Sequence, residues 1–298
     1  MNKMTANFLM LITALIWGTT FIAQTTGMDT LGPLSFTGAR YLIGMLVMLP
    51  LAIWESRRTS LYFEAKQNPK LWQGAILLGV LMFGGIALQQ TALLFTKVAN
   101  AAFLTALYVP AVPLMAWLLT REKIGLPIWL AVSLSLLGSY LLSGNASFEA
   151  QLADIMVAVG ALFWAAHIIA IGFVTRLVVA PLQLAFVQNA VCALLASIGA
   201  FAFESPEFHN FLPVWQELIY AGAISVGIAY TLQLVAQRHA NTTAAAFLLS
   251  LEAVFAALSS WLLLSESLTL SAIMGCIFIF TAVLLADVFP KSWFTSKK

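Results

Sequence analysis

The chain has 298 residues, of which 61% are hydrophobic and only 9% charged, with a net charge of +2 and a mean hydropathy of +0.95. A water-soluble domain of this length cannot hide that much apolar surface, so lipid is its solvent, and the remaining functions are carrying, conducting, anchoring or catalysing within a membrane. A pI near 8.6 does not point to nucleic acid, because the basic residues lie in short connectors rather than in a stripe with stacking aromatics.

Apolar runs bounded by charge, proline or glycine predict helices near 4–24, 34–54, 71–95, 99–120 and 125–143, then near 153–175, 181–203, 214–236, 242–264 and 268–289. Each approaches the roughly 20 residues that cross a hydrocarbon core of about 30 Å. Lys3 ahead of the first run imitates a signal peptide. That run is too long, lacks a small-residue exit and is echoed later, which predicts a retained first span. The longest connector, Glu55 to Lys70, leaves no room for a separate soluble domain.

Ten spans put both termini on one face. That face collects Lys3, Arg57, Arg58, Lys66, Lys70, Arg121, Lys123, Arg176, Arg238, Lys291, Lys297 and Lys298; the other has only Lys97, and Arg40 lies within a span. The positive-inside rule then predicts cytoplasmic termini in a cytoplasmic (inner) membrane. The acidic connector residues Asp29, Glu149, Asp154, Glu204 and Glu207 fall on the opposite face and weigh little in that rule.

The chain also echoes itself. Ala14-Leu15-Ile16-Trp17 returns as Ala161-Leu162-Phe163-Trp164, and Pro33-Leu34 as Pro181-Leu182. Ala102-Phe103-Leu104 through Trp117-Leu118-Leu119 returns as Ala246-Phe247-Leu248 through Trp261-Leu262-Leu263, so offsets stay between 144 and 148 residues. An odd number of spans per copy turns the second copy over. The predicted fold is an all-α integral membrane protein of ten transmembrane helices in two inverted five-helix repeats, residues 1–147 and 148–298. Such repeats are the architecture of alternating-access carriers, with substrate held between the copies near mid-membrane.

Ala39-Arg40-Tyr41-Leu42-Ile43 in helix 2 resembles the EamA-type transporters of the drug/metabolite transporter superfamily. So do Ser250-Leu251-Glu252-Ala253-Val254-Phe255 with Trp261 and Ser265-Glu266-Ser267 in helix 9. The resemblance covers nearly the whole chain. It implies ten helices, cytoplasmic termini and efflux of small metabolites, amino acids first, with multidrug or nucleobase export as the alternative. Proline often follows the helix 9 glutamate in that family. This chain has Ala253 there, so the resemblance carries no helix break to this point.

Polar groups in hydrocarbon need a partner or water, which makes them candidates for a transport site. Thr13, Trp17, Thr20 and Gln24 share one face of helix 1 at spacings of four, three and four; Gly160, Trp164, His167 and Ile171 occupy the matching places in helix 6. Both tryptophans fall near mid-depth and are expected to wall a cavity and stack on substrate, with helix packing as the other reading. Glu252 lies near mid-depth in helix 9 opposite its counterpart Tyr108, a candidate for proton exchange, for an ammonium group or for a structural bond. An unpaired charge there costs on the order of 2.5–3.5 kcal/mol.

Arg40 is expected to meet a substrate carboxylate or Glu252, or else to snorkel to the headgroups. His167 is read as a satisfied histidine or a proton relay. Gln188, Asn189, Tyr230 and Gln233 are weaker candidates. Glu122 and Glu266, at matched places after helices 4 and 9, are expected to cap neighbouring helix starts or to fix the short turns, with no transport role. Pro110, Pro113 and Gly84-Gly85 are expected kink points, with close packing as the other reading of the glycine pair.

An enzyme would need convergent nucleophiles, acid-base pairs or ligands. The chain offers no His-x-x-x-His, no Asp-rich magnesium site and no Gly-x-Ser-x-Gly elbow. No phosphate loop is present, so no nucleotide cofactor is expected, and the driving force is an ion gradient, protons included, or the substrate's own gradient. Cys192 and Cys276 read as buried free thiols. The expected partners are a small-molecule substrate and the bilayer, with no nucleic acid and no cofactor or metal. Ten helices enclose their own pathway, so a monomer suffices.

Overall fold

The computed structural model describes residues 1–59, 70–96, 98–121, 125–142, 152–177, 180–240, 242–263 and 269–288. Among them are ten apolar helices and no strand. Helices α1 (Lys3–Thr26), α2 (Pro33–Ser56) and α3 (Lys70–Ala92) are continuous. α4 comes in two segments, Val98–Thr105 and Tyr108–Thr120, and is followed by α5 (Leu126–Leu142). α6 (Leu152–Leu177) and α7 (Pro181–Phe203) are again unbroken. α8 covers Trp215–Gln237, α9 consists of Thr242–Leu249 and Leu251–Leu263, and α10 is Leu270–Val288. Eight of these helices are long and apolar enough to cross a membrane, and two shorter apolar stretches, Leu126–Leu141 and Leu270–Leu285, complete the set. Lys66, Lys97, Glu122, Lys123, Glu149, Glu266, Lys291, Lys297 and Lys298 lie outside the described residues, and with them the expected caps at Glu122 and Glu266.

Apolar side chains face outward and polar ones inward. Leu119, Phe203 and Leu262 stand exposed, whereas Gln90, Gln188, Asn189, Arg40 and Glu252 are buried. That distribution suits a protein whose surroundings are lipid, where outward leucine costs nothing and an inward polar group must find a partner.

Small residues bring the helices close. A Cβ on Gly18 in α1 would lie 2.5 Å from Phe255 Cβ and 2.6 Å from the Glu252 carbonyl oxygen, so α1 rests on the backbone of α9. A Cβ on Gly222 in α8 would lie 2.8 Å from the carbonyl oxygen of Arg40 in α2. Around Gly222, residues Tyr220–Ala229 adopt a π-helical winding before Tyr230–Gln237 returns to α. α3 is one continuous helix through Gly84 and Gly85, and Gly85 gives room to the Trp164 indole, 2.8 Å from where a Cβ would sit.

α2 and α7 cap each other. Both begin with proline, which has no N–H, and the residues before them, Gly32 and Ala180, make no side-chain cap. The next N–H groups therefore need an outside acceptor. Glu204, at the end of α7, accepts from Leu34 N (2.7 Å), Ser35 N (2.7 Å) and Ser35 Oγ (2.6 Å). Glu55, in the last turn of α2, accepts from Leu182 N (3.3 Å), Gln183 N (2.9 Å) and Gln183 Nε2 (3.3 Å). The two carboxylates hold opposite ends of one antiparallel pair.

The two interrupted helices break at matching places. In α4 the break falls at Ala106–Leu107, one turn before Pro110, which cannot donate to the Ala106 carbonyl; Val109 N takes that oxygen at 2.9 Å. In α9 the break falls at Ser250, although Ala253 stands where the resembled family often has proline. There the Ser250 hydroxyl donates to the Phe247 carbonyl (2.7 Å), and Ala253 N donates to the Ser250 carbonyl (3.2 Å), a tightened turn made without proline.

Candidate functional site

The breaks in α4 and α9 flank a cavity built from α1, α2, α3, α4, α6, α8 and α9. It leaves about 50 Å³ for the centres of water-sized molecules, room for several waters. Its one cationic and one anionic side chain are Arg40 and Glu252, and aromatic rings from both halves of the chain form its walls.

Seven of the eight expected site residues line it: Trp17, Thr20, Arg40, Tyr108, Trp164, Tyr230 and Glu252. His167 does not. It packs behind the wall, edge-on to Trp164 (5.9 Å) and Tyr230 (6.3 Å), with Nε2 at 3.3 Å from Gln188 Oε1. Gln188 and Asn189 are likewise buried away from the lining.

Arg40 is 2% exposed, which rules out snorkelling to the headgroups. Its guanidinium carbon lies 5.6 Å from the Phe36 ring centroid and 5.4 Å from that of Tyr41, within cation–π range. Among the described residues no ion pair joins Arg40 to Glu252, so neither charge neutralises the other by direct contact. Glu252 occupies the first turn of its helix segment. The partial positive charge of that end offsets part of the cost of a buried carboxylate.

The aromatic wall is continuous. Tyr230 stacks on Trp164 (6.3 Å, 17° between planes) and tilts against Trp17 (4.7 Å, 53°). The Tyr41 hydroxyl donates to the Tyr230 hydroxyl at 3.2 Å. The Trp164 indole N–H donates to Gln89 Oε1 at 3.0 Å, whereas the Trp17 indole N–H has no partner.

The lining includes residues not singled out from the sequence, chiefly Gln89, Thr105 and Ser225. Gln89 carried a readable signal, since two adjacent glutamines near the end of an apolar helix need partners; Gln90 finds one in the Gln24 carbonyl, 3.0 Å away. Ser225 lines the cavity from within the π-helical stretch, a winding that no residue type announces. Among the described residues no group of three His, Cys, Asp or Glu side chains is placed to hold a metal ion. His209 instead lies beside Glu207 on an exposed turn, 3.3 Å away.

Comparison with known proteins adds four findings. The profile of the EamA-like transporter family matches residues 4–144 and again residues 151–286. An uncharacterized transporter of Archaeoglobus fulgidus is 30% identical over 288 residues, covering 96% of this chain and 87% of that protein. The uncharacterized transporter YoaV of Bacillus subtilis is 23% identical over 274 residues, covering 89% of this chain and 90% of its own. A solved structure described only as "Crystal structure of protein" superposes with a TM-score of 0.78 at 18% identity, covering 96% of this chain and 98% of that one.

Proposed function

The chain belongs to the EamA-like transporter family, and is therefore a multi-pass membrane transporter rather than an enzyme; on that premise we propose that it exports small metabolites, amino acids first, by alternating access. In this reading residues 1–147 and 148–298 are two inverted copies, both termini are cytoplasmic, the membrane is the cytoplasmic one and a single chain suffices. Substrate sits in the cavity between the copies.

One observation carries the proposal. Two helices break at matching positions beside one cavity that holds an arginine and a glutamate without a direct ion pair. Broken helices at a mid-membrane cavity are how carriers present helix ends and charged side chains to a solute. A passive channel needs none of this. An amino acid offers a carboxylate to Arg40 and an ammonium group to Glu252, and its side chain meets the aromatic wall.

Counterflow in reconstituted vesicles tests the reading. Vesicles preloaded with one unlabelled solute accumulate the same labelled solute if the protein is a carrier. A panel of amino acids, nucleobases and cationic dyes finds the cargo. Labelled flux that ignores the preload points to a pore and overturns alternating access.

A further inference from the structure

Trp17 and Trp164 hold equivalent places in the two halves of the chain, yet they are not equivalent chemically. The Trp164 N–H is committed to Gln89. The Trp17 N–H, in the same cavity, is buried and donates to nothing. Behind the lining, His167 is bonded to Gln188 and Gln237 donates to the Ile168 carbonyl; within it, Tyr230 accepts from Tyr41, and among the described residues the one buried second-half atom left without a partner there is an acceptor, Gln233 Oε1. On the first half's side, Arg40 Nε, Trp17 Nε1 and Thr105 Oγ1 are all buried without a partner.

Two of these atoms admit one chemistry only. An indole N–H and a guanidinium Nε–H donate and never accept. A buried donor left unmade carries its full desolvation cost, so two such donors on residues that line one cavity are sites awaiting an acceptor. Arg40 adds a positive charge, and its fork matches a carboxylate. Glu252 faces the same cavity and repels a bare anion, so the molecule must bring a cation as well.

We infer that Arg40 and Trp17 together form the subsite for the carboxylate of a zwitterionic solute, with Trp17 serving as a hydrogen-bond donor and Trp164 as an apolar wall. Glu252 receives the cationic group. This rests on the carrier reading above and adds to it an orientation: the solute's carboxylate faces α1 and α2, and the rest lies against Trp164 and Tyr230.

The test measures thermal unfolding of the full chain in lipid nanodiscs with L-alanine, L-leucine and L-lysine, each beside its amide. At least one acid raises the midpoint by about 2–4 °C, and its amide does not. Trp17→Phe keeps the ring but loses the N–H, and Arg40→Lys keeps the charge but loses Nε–H. Each weakens the apparent Kd of that acid by about tenfold to a hundredfold, the loss expected for a hydrogen bond to a charged group. Trp261→Phe, on the outward face, is the control for tryptophan replacement.

Amides that stabilise as well as acids overturn the subsite, as does Trp17→Phe binding the acid like wild type, or no acid shifting the wild-type midpoint. Counterflow of a neutral or purely cationic solute, alongside any of these, leaves the carrier standing without the subsite. No counterflow of any solute overturns the carrier itself.

Discussion

Tyr108 and Glu252 stand at the same place in two broken helices: each opens the segment after the break by one or two residues, and both face one cavity. Symmetry in position is paired with asymmetry in chemistry, a phenol on one side and a carboxylate on the other. If the carboxylate takes and releases a proton during the cycle, Glu252→Gln abolishes counterflow driven by a pH gradient while the protein stays folded. Unchanged coupling in the variant, measured in the same vesicles, removes that role from Glu252.

The caps at the ends of α2 and α7 make a stability prediction. Glu204→Gln and Glu55→Gln each weaken acceptance by first-turn N–H groups, costing about 0.5–2 kcal/mol apiece. Glu204 makes the shorter bonds, so its loss is expected to be the larger. Thermal unfolding of the two single variants in one lipid composition ranks them; equal midpoints to wild type would mean that water caps these ends just as well.

Gly18→Ala is expected to cost about 1–3 kcal/mol, because the added methyl group meets the Glu252 carbonyl oxygen and Phe255 Cβ rather than a yielding side-chain tip. The same collision pushes α9 away at the level of the cavity. Unfolding midpoints check the cost, and accessibility of a cysteine placed at Phe255 checks the displacement.

Gln89→Leu removes the acceptor of the part-buried Trp164 N–H, with a penalty of about 0.5–1.5 kcal/mol. Gln89→Glu keeps an acceptor and is expected to restore the hydrogen bond. Unfolding midpoints, with the indole fluorescence followed in parallel, separate the two; leucine behaving like wild type would show that the bond holds nothing.

The ten helices are legible because hydropathy needs only local sums over about 20 residues. The cavity lining is legible where two cues coincide, as at Trp17 and Trp164, which repeat in register and fall at mid-depth. Arg40 was half legible: its depth fitted both snorkelling and inward burial, and the close approach of α8 at Gly222 accompanies the inward placement. The break in α4 follows from Pro110, whereas that in α9 has no proline to announce it and depends on a serine hydroxyl bonding back to Phe247. The caps were missed for a different reason. Prolines at the starts of α2 and α7, behind Gly32 and Ala180, leave first-turn donors bare, but only three-dimensional packing tells which carboxylate serves them.

That reciprocity has a consequence for biosynthesis. Glu204 follows Leu34 by 170 residues, and Leu182 follows Glu55 by 127. At a ribosome's 5–20 residues per second, the start of α2 waits roughly ten to thirty seconds for its acceptor to be made. The nascent first half thus enters the bilayer unfinished, and it is completed only by the arrival of the second.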